Sequence, residues 1–197
     1  KAIRDHVPGA RQREVFQGLS RLLLLTYALR NADCHSKNVA LRYTSKRDVQ
    51  LAPVYDLLTT SVYAGYALNP PGIMFMGKRT WTPGKTLAHF IAATFGVPVR
   101  EQLEMVEAIS DAVSDVAPQV RAAMHQHREF EDIGRGMLEA WRDGGAGLRS
   151  TRVYAVPGWK PAEAFAEASP PKARAKRSHL AASVGASPLL GKRRRKR

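Results

Sequence analysis

The sequence predicts a mainly α-helical fold carrying one small β-hairpin, and three observations carry that reading. Apolar residues recur at helical spacing along most of the chain. One pair of short β-prone runs flanks a polar tetrapeptide. At 197 residues with 44% hydrophobic side chains, the chain is long and apolar enough to bury a core.

Taken in order, Val15, Phe16, Leu19, Leu22, Leu23 and Thr26 share one face of a 3.6-residue period, which predicts a helix over about Arg11 to Leu29. The polar run Asn31 to Asn38 reads as a loop. Val39–Tyr43 and Asp48–Leu51 flank Thr44-Ser45-Lys46-Arg47 and predict the hairpin; Pro53 stops the second strand just ahead of Tyr55-Asp56. Leu87, Phe90, Ile91, Thr94 and Phe95 form the next helical stripe, with Gly96 as its stop and Pro98 beyond. Leu103, Val106, Ile109, Val113 and Val116 form another, which Pro118 is expected to interrupt. A last helix is expected over Glu129–Trp141, broken by Gly144-Gly145-Ala146-Gly147. These elements suggest a lobe over 1–148 and a basic tail over 149–197, disordered from about Ser150 because Ala, Pro, Ser, Lys and Arg dominate there. No internal repeat is evident.

The formal charge of +14 is concentrated. Pro170 to Arg197 holds ten Lys/Arg and no acid, so the other 169 residues carry 21 basic against 17 acidic groups, a net of +4. The cluster Lys192–Arg197 suits nonspecific electrostatic contact with nucleic acid; without interleaved aromatics it does not suggest base stacking. The longest apolar run, Leu22–Leu25, is far too short to span a bilayer, and no secretory leader is visible. A single cysteine excludes an internal disulfide and suits a reducing cytoplasm.

The chemistry is expected around Asp33 and Asn38, spaced D-x-x-x-x-N. Kinase catalytic loops use that spacing: the aspartate orients a hydroxyl and accepts its proton, and the asparagine turns back onto a metal ion. Alone, the pair also reads as a polar turn capping its own backbone. A preceding apolar helix, a following hairpin and Asp56 just after the second strand strengthen the kinase reading. Asp56 reads also as a helix N-cap for Leu57 onward. Cys34 beside His35 raises a thiol nucleophile as an alternative, and zinc is disfavoured because one cysteine and scattered histidines give no ligand spacing.

Asn31-Ala32-Asp33-Cys34-His35-Ser36-Lys37-Asn38 resembles the D-x-H-x-K-N loop of HipA-like kinases, and Leu51-Ala52-Pro53-Val54-Tyr55-Asp56-Leu57-Leu58 resembles their L-x-P-x-Y-D segment. Gly72-Ile73-Met74-Phe75-Met76-Gly77-Lys78 is a looser likeness to their L-A-M-x-I-G-G-K stretch. The similarity covers roughly Arg11 to Trp141. It implies the C-terminal lobe of a serine/threonine kinase that uses ATP and Mg2+, often the toxin of a bacterial toxin–antitoxin pair. Carried over by position, Asp33 would be the catalytic base. His35, Ser36, Lys37, Asn38, Tyr55 and Asp56 would bind nucleotide, and Asn38 and Asp56 the metal. The implied partners are a protein substrate such as an aminoacyl-tRNA synthetase and a DNA-binding, HipB-like antitoxin. Only 32 residues precede Asp33, and Gly9 and Gly18 make no phosphate loop, so an N-lobe would have to come from elsewhere and activity alone would be weak. Two other readings stand beside this one: a non-catalytic remnant that binds an antitoxin-like partner, and a basic nucleic-acid-binding protein.

Overall fold

The computed structural model describes residues 2–45, 47–67, 69–74, 77, 79, 81, 84–149 and 152–155. A short helix, α1 (Ala2–His6), leads into the long α2 (Gly9–Leu29). Strands β1 (Leu41–Ser45) and β2 (Asp48–Leu51) follow, and then α3 (Gly84–Phe95), α4 (Val99–Gln126) and α5 (Glu131–Arg149). The mainly helical fold with one antiparallel hairpin is as the sequence predicts. Leu41 faces Leu51 and Tyr43 faces Val49, with an irregularity before the Ser45–Asp48 pair.

Helix α2 is the centre of the lobe because it is apolar on more than one side. Leu23, Leu24, Tyr27 and Ala28 pack with Leu87, Ile91, Val106 and Leu148 in the main core. Nearer its start, Val15, Phe16 and Leu19 meet Val7 and Val49, which seats the hairpin against the helix. A third cluster joins Ala117 and Val120 of α4 to Leu138 and Trp141 of α5. Helix α3 ends where expected, with Gly96 at φ 70°, a left-handed conformation that costs glycine least.

Two expected helix breaks are absent. Helix α4 runs through Pro118. A mid-helix proline costs about 3 kcal/mol, but Ala117 and Val120 on either side are buried against α5, and that packing offsets it. Helix α5 runs through Gly144-Gly145-Ala146-Gly147 to Arg149. At Gly144 a Cβ would overlap the carbonyl oxygen of Ala28. The glycine lets α5 lie directly on the end of α2.

Packing also continues past the boundary expected at 148/149. Arg149 is buried and forms a two-pronged ion pair with Glu107 of α4. Tyr154 is fully buried, and its hydroxyl donates to Gln102 Oε1 at 2.5 Å. Gln102, itself buried, donates onward to the carbonyls of Ala88 and Val97. The lobe therefore includes 149 and 152–155, because Tyr154 completes the main core. The basic tail from 156, including Lys192–Arg197, lies outside the described residues.

No helix among the described residues is long and apolar enough to cross a membrane.

Candidate active site

The site begins where α2 ends. Arg30 takes a left-handed backbone, φ 56°, and its N–H reaches back to Tyr27 O while Asn31 N–H reaches Thr26 O. This closes the helix and turns the chain sharply, a role glycine usually fills. The side chain of Arg30 is held over the Trp81 ring, 5.5 Å from its centroid. Burial lowers the Arg30 pKa, opposed by attraction to Asp143.

Asn31, 1% exposed, follows, and its side chain amide makes two bonds. Oδ1 accepts from Asp33 N–H at 3.0 Å, and Nδ2 donates to the backbone carbonyl of Asp56 at 3.3 Å. Ala32 N–H donates to Thr60 Oγ1 at 2.6 Å, and that hydroxyl donates to Arg30 O at 3.2 Å. The loop is thus fixed on both sides of Asn31 by its own backbone groups, which would otherwise be buried without partners.

Ser36–Asn38 forms a single 3-10 turn. His35, Ser36 and Lys37 are exposed on it, whereas Asn38 is buried. Asn38 Oδ1 accepts from His35 N–H at 2.8 Å, and Asn38 Nδ2 donates to Asp56 Oδ2 at 2.5 Å. Tyr55 OH donates to Lys37 O at 2.6 Å, so its ring stands half-exposed against the same turn. Asn38 and Asp56, eighteen residues apart in sequence, are therefore in direct contact.

Asp56 also has a left-handed backbone, φ 56°. Aspartate tolerates this better than most residues, yet glycine would adopt it without strain. The carboxylate is thus present despite a local backbone preference against it. Leu57–Thr59 is not helical, and the next turn is the short 3-10 segment Thr60–Val62. The alternative of Asp56 as a helix N-cap is accordingly set aside.

Asp33 is exposed on the same loop. Cys34, next to Asp33 in the chain, is only 2% exposed. Burial pushes its thiol pKa up, and the negative charges of Asp33 and Asp56 both add to that shift. A thiolate is disfavoured there, which removes the thiol-nucleophile alternative. No group of three or more His, Cys, Asp or Glu suited to a metal occurs among the described residues.

Asn38 and Asp56 do fit a hard divalent cation such as Mg2+. They offer an amide oxygen and a carboxylate, and this ion commonly takes only one or two ligands from protein. The His35 N–H uses one lone pair of Asn38 Oδ1 and leaves the other.

The third likeness is anchored at one end. A Cβ at Gly72 would overlap Cys34 O and crowd Ala32 O, so the backbone there rests on the loop itself. Phe75, Met76 and Lys78 lie outside the described residues.

The candidate residues thus gather at one loop. Sequence reasoning missed its supports: Asn31, Thr60, and Trp141 of α5, whose indole N–H donates to buried Thr59 Oγ1 at 2.7 Å. Asn31 stood inside the recognised motif, but Thr60 and Trp141 carry no local signal.

A mainly helical lobe with one hairpin agrees with the wider comparison. Residues 1–121 match the HipA-like C-terminal domain, and the chain belongs to that family. No curated protein and no solved structure matches it.

Proposed function

We propose that this chain is the C-terminal lobe of a HipA-like serine/threonine kinase of the toxin–antitoxin type. The observation that carries the reading is the Asn38–Asp56 contact beside exposed Asp33. It brings together an amide and a carboxylate from two motifs, and with Asp33 on the same loop these are residue types that phosphoryl transfer uses.

In this reading Asp33 orients the attacking hydroxyl of a serine or threonine and accepts its proton. Asn38 and Asp56 would hold Mg2+, which supplies positive charge opposite the phosphate oxygens of ATP. Lys37 adds a second positive charge from the same 3-10 turn, and His35 and Ser36 present further polar groups to the phosphates. Tyr55 keeps that turn closed through its bond to Lys37 O. ATP binding in this reading is completed by a nucleotide-gripping lobe, and weak binding by the isolated chain is the expected outcome. The substrate is a cytoplasmic protein hydroxyl, with an aminoacyl-tRNA synthetase as the first candidate. A HipB-like DNA-binding antitoxin is the expected regulatory partner, and the basic tail adds nonspecific nucleic-acid contact.

The test is transfer of radiolabelled phosphate from ATP with a matching N-lobe fused or added in trans. Magnesium-dependent transfer should appear only with that lobe. Asp33→Asn should lower turnover at least about a hundredfold while sparing ATP binding. Asp56→Asn should weaken magnesium-dependent nucleotide binding itself. Full activity of the Asp33→Asn protein would remove the base assignment, and strong transfer by the isolated chain would refute the need for a second lobe.

A further inference from the structure

We propose that Asn31 is a positioning residue that, with Thr60, holds Asp33 and Asp56 in register, and that α5 braces this pair through Trp141. The inference rests on the kinase reading and assigns a role to three residues that reading does not use.

Asn31 is suited to the task by its chemistry. A planar amide presents one acceptor and one donor edge at a fixed separation. Here the acceptor edge takes the N–H of Asp33 and the donor edge reaches the carbonyl of Asp56. One buried side chain therefore touches the backbone of both motif aspartates. An Asp at 31 would keep the first bond but set a carboxylate against the Asp56 carbonyl. A Leu would remove both of these bonds and leave the two backbone groups without the partner that Asn31 supplies. The Asp56 contact matters further because that residue sits in a left-handed conformation, which persists only where surrounding bonds hold it.

Thr60 holds Asn31 in place from both neighbours, accepting from Ala32 N–H and donating to Arg30 O. The adjacent Thr59 accepts from Trp141 in a fully buried bond. Two hydrogen-bonded contacts, joined by the Thr59–Thr60 peptide bond, thus link α5 to the loop. Trp141 lies outside residues 1–121, the span that matches the family, so the brace comes from a part of the chain beyond that domain.

Partners behind a metal or reacting group, when removed, typically cost 10- to 100-fold in affinity or activity. The full chain is titrated with Mn2+ as the probe, and paramagnetic broadening of the amide signals of Asn38 and Asp56 is followed by NMR. Asn31→Ala and the isosteric Thr60→Val are compared with Val106→Ala, a core substitution that removes none of the loop's hydrogen bonds and serves as a stability control. Asn31→Ala should weaken Mn2+ binding about tenfold or more. It should also shift the Asp33 and Asp56 amide signals and leave the His35 amide, bonded to Asn38, in place. Thr60→Val, which keeps the side chain volume, should give a smaller loss of the same kind and decides the matter if Asn31→Ala does not fold. Val106→Ala should lower the melting temperature without changing Mn2+ affinity. Asn31→Asp should restore the Asp33 amide signal but not that of Asp56. Mn2+ binding by the wild type that is unchanged in both loop variants, with unmoved Asp33 and Asp56 signals, would overturn the inference. If the wild type itself shows no broadening at Asn38 and Asp56, the metal assignment fails instead, and the amide shifts alone then decide whether Asn31 positions the loop.

Discussion

Gly144 and Gly145 are neighbours with opposite roles. A Cβ at 144 would collide with the Ala28 carbonyl, which is backbone and cannot swing aside, whereas nothing lies within 4 Å of a Cβ at 145. Gly144→Ala should therefore cost about 1–3 kcal/mol through overpacking, despite alanine's better helix propensity. Gly145→Ala should stabilise by up to about 1 kcal/mol, because only propensity changes. Urea unfolding of the two variants checks the opposite signs. Cys34 gives a second test at this scale. With its thiol buried and its pKa raised, it should react with an aromatic disulfide reagent much more slowly in the native protein than after denaturation. Rapid native labelling would mean that the loop opens readily. The glycine run suggests a helix break when read alone, because it records three glycines within four residues and not the carbonyl that one of them must clear.

Among elements, α4 and α5 are joined by packing at one end and by charge at the other. Glu107 is held below its usual pKa, first by hydrogen bonding from Arg149 and then by its charge. A depressed carboxylate contributes stability above its unfolded pKa and loses it as pH falls through the folded value. The Glu107–Arg149 contribution should therefore be complete at neutral pH and fade below about pH 4.3, the reference for glutamate. Glu107 is 43% exposed, so solvent screening keeps the effect modest. Melting curves of wild type and Glu107→Gln should differ at pH 7 and converge as the pH is lowered beyond that point; a constant difference would assign the loss to packing instead of charge. The two helices were legible as separate elements. Their true lengths were not, because Pro118 and the glycines signal breaks locally, whereas Ala117, Val120 and Leu148 are buried by partners distant in sequence.

For the molecule as a whole, the decisive feature is where the lobe ends. A chain ending at Leu148 loses both Arg149 and Tyr154, whereas one ending at Ala155 keeps them. Removing a fully buried aromatic costs about 3–5 kcal/mol, and for a chain of this size 3 kcal/mol corresponds to roughly 6–12 °C in melting temperature. The shorter protein should melt lower by at least that amount, and equal melting temperatures would restore the boundary at 148. The sequence by itself determined the helical class, the hairpin and the end of α3, and it singled out Asp33, Asn38 and Asp56 as candidates, because periodicity, turn chemistry and motif spacing are properties of neighbouring residues. The tertiary structure decided that Asn38 touches Asp56, that Cys34 is sealed, that Asn31, Thr60 and Trp141 support the loop, and that Tyr154 belongs to the core. Each of these is a contact between chain segments whose separation in space no local pattern encodes, and burial gives it energetic weight by leaving its polar groups no water to bond instead.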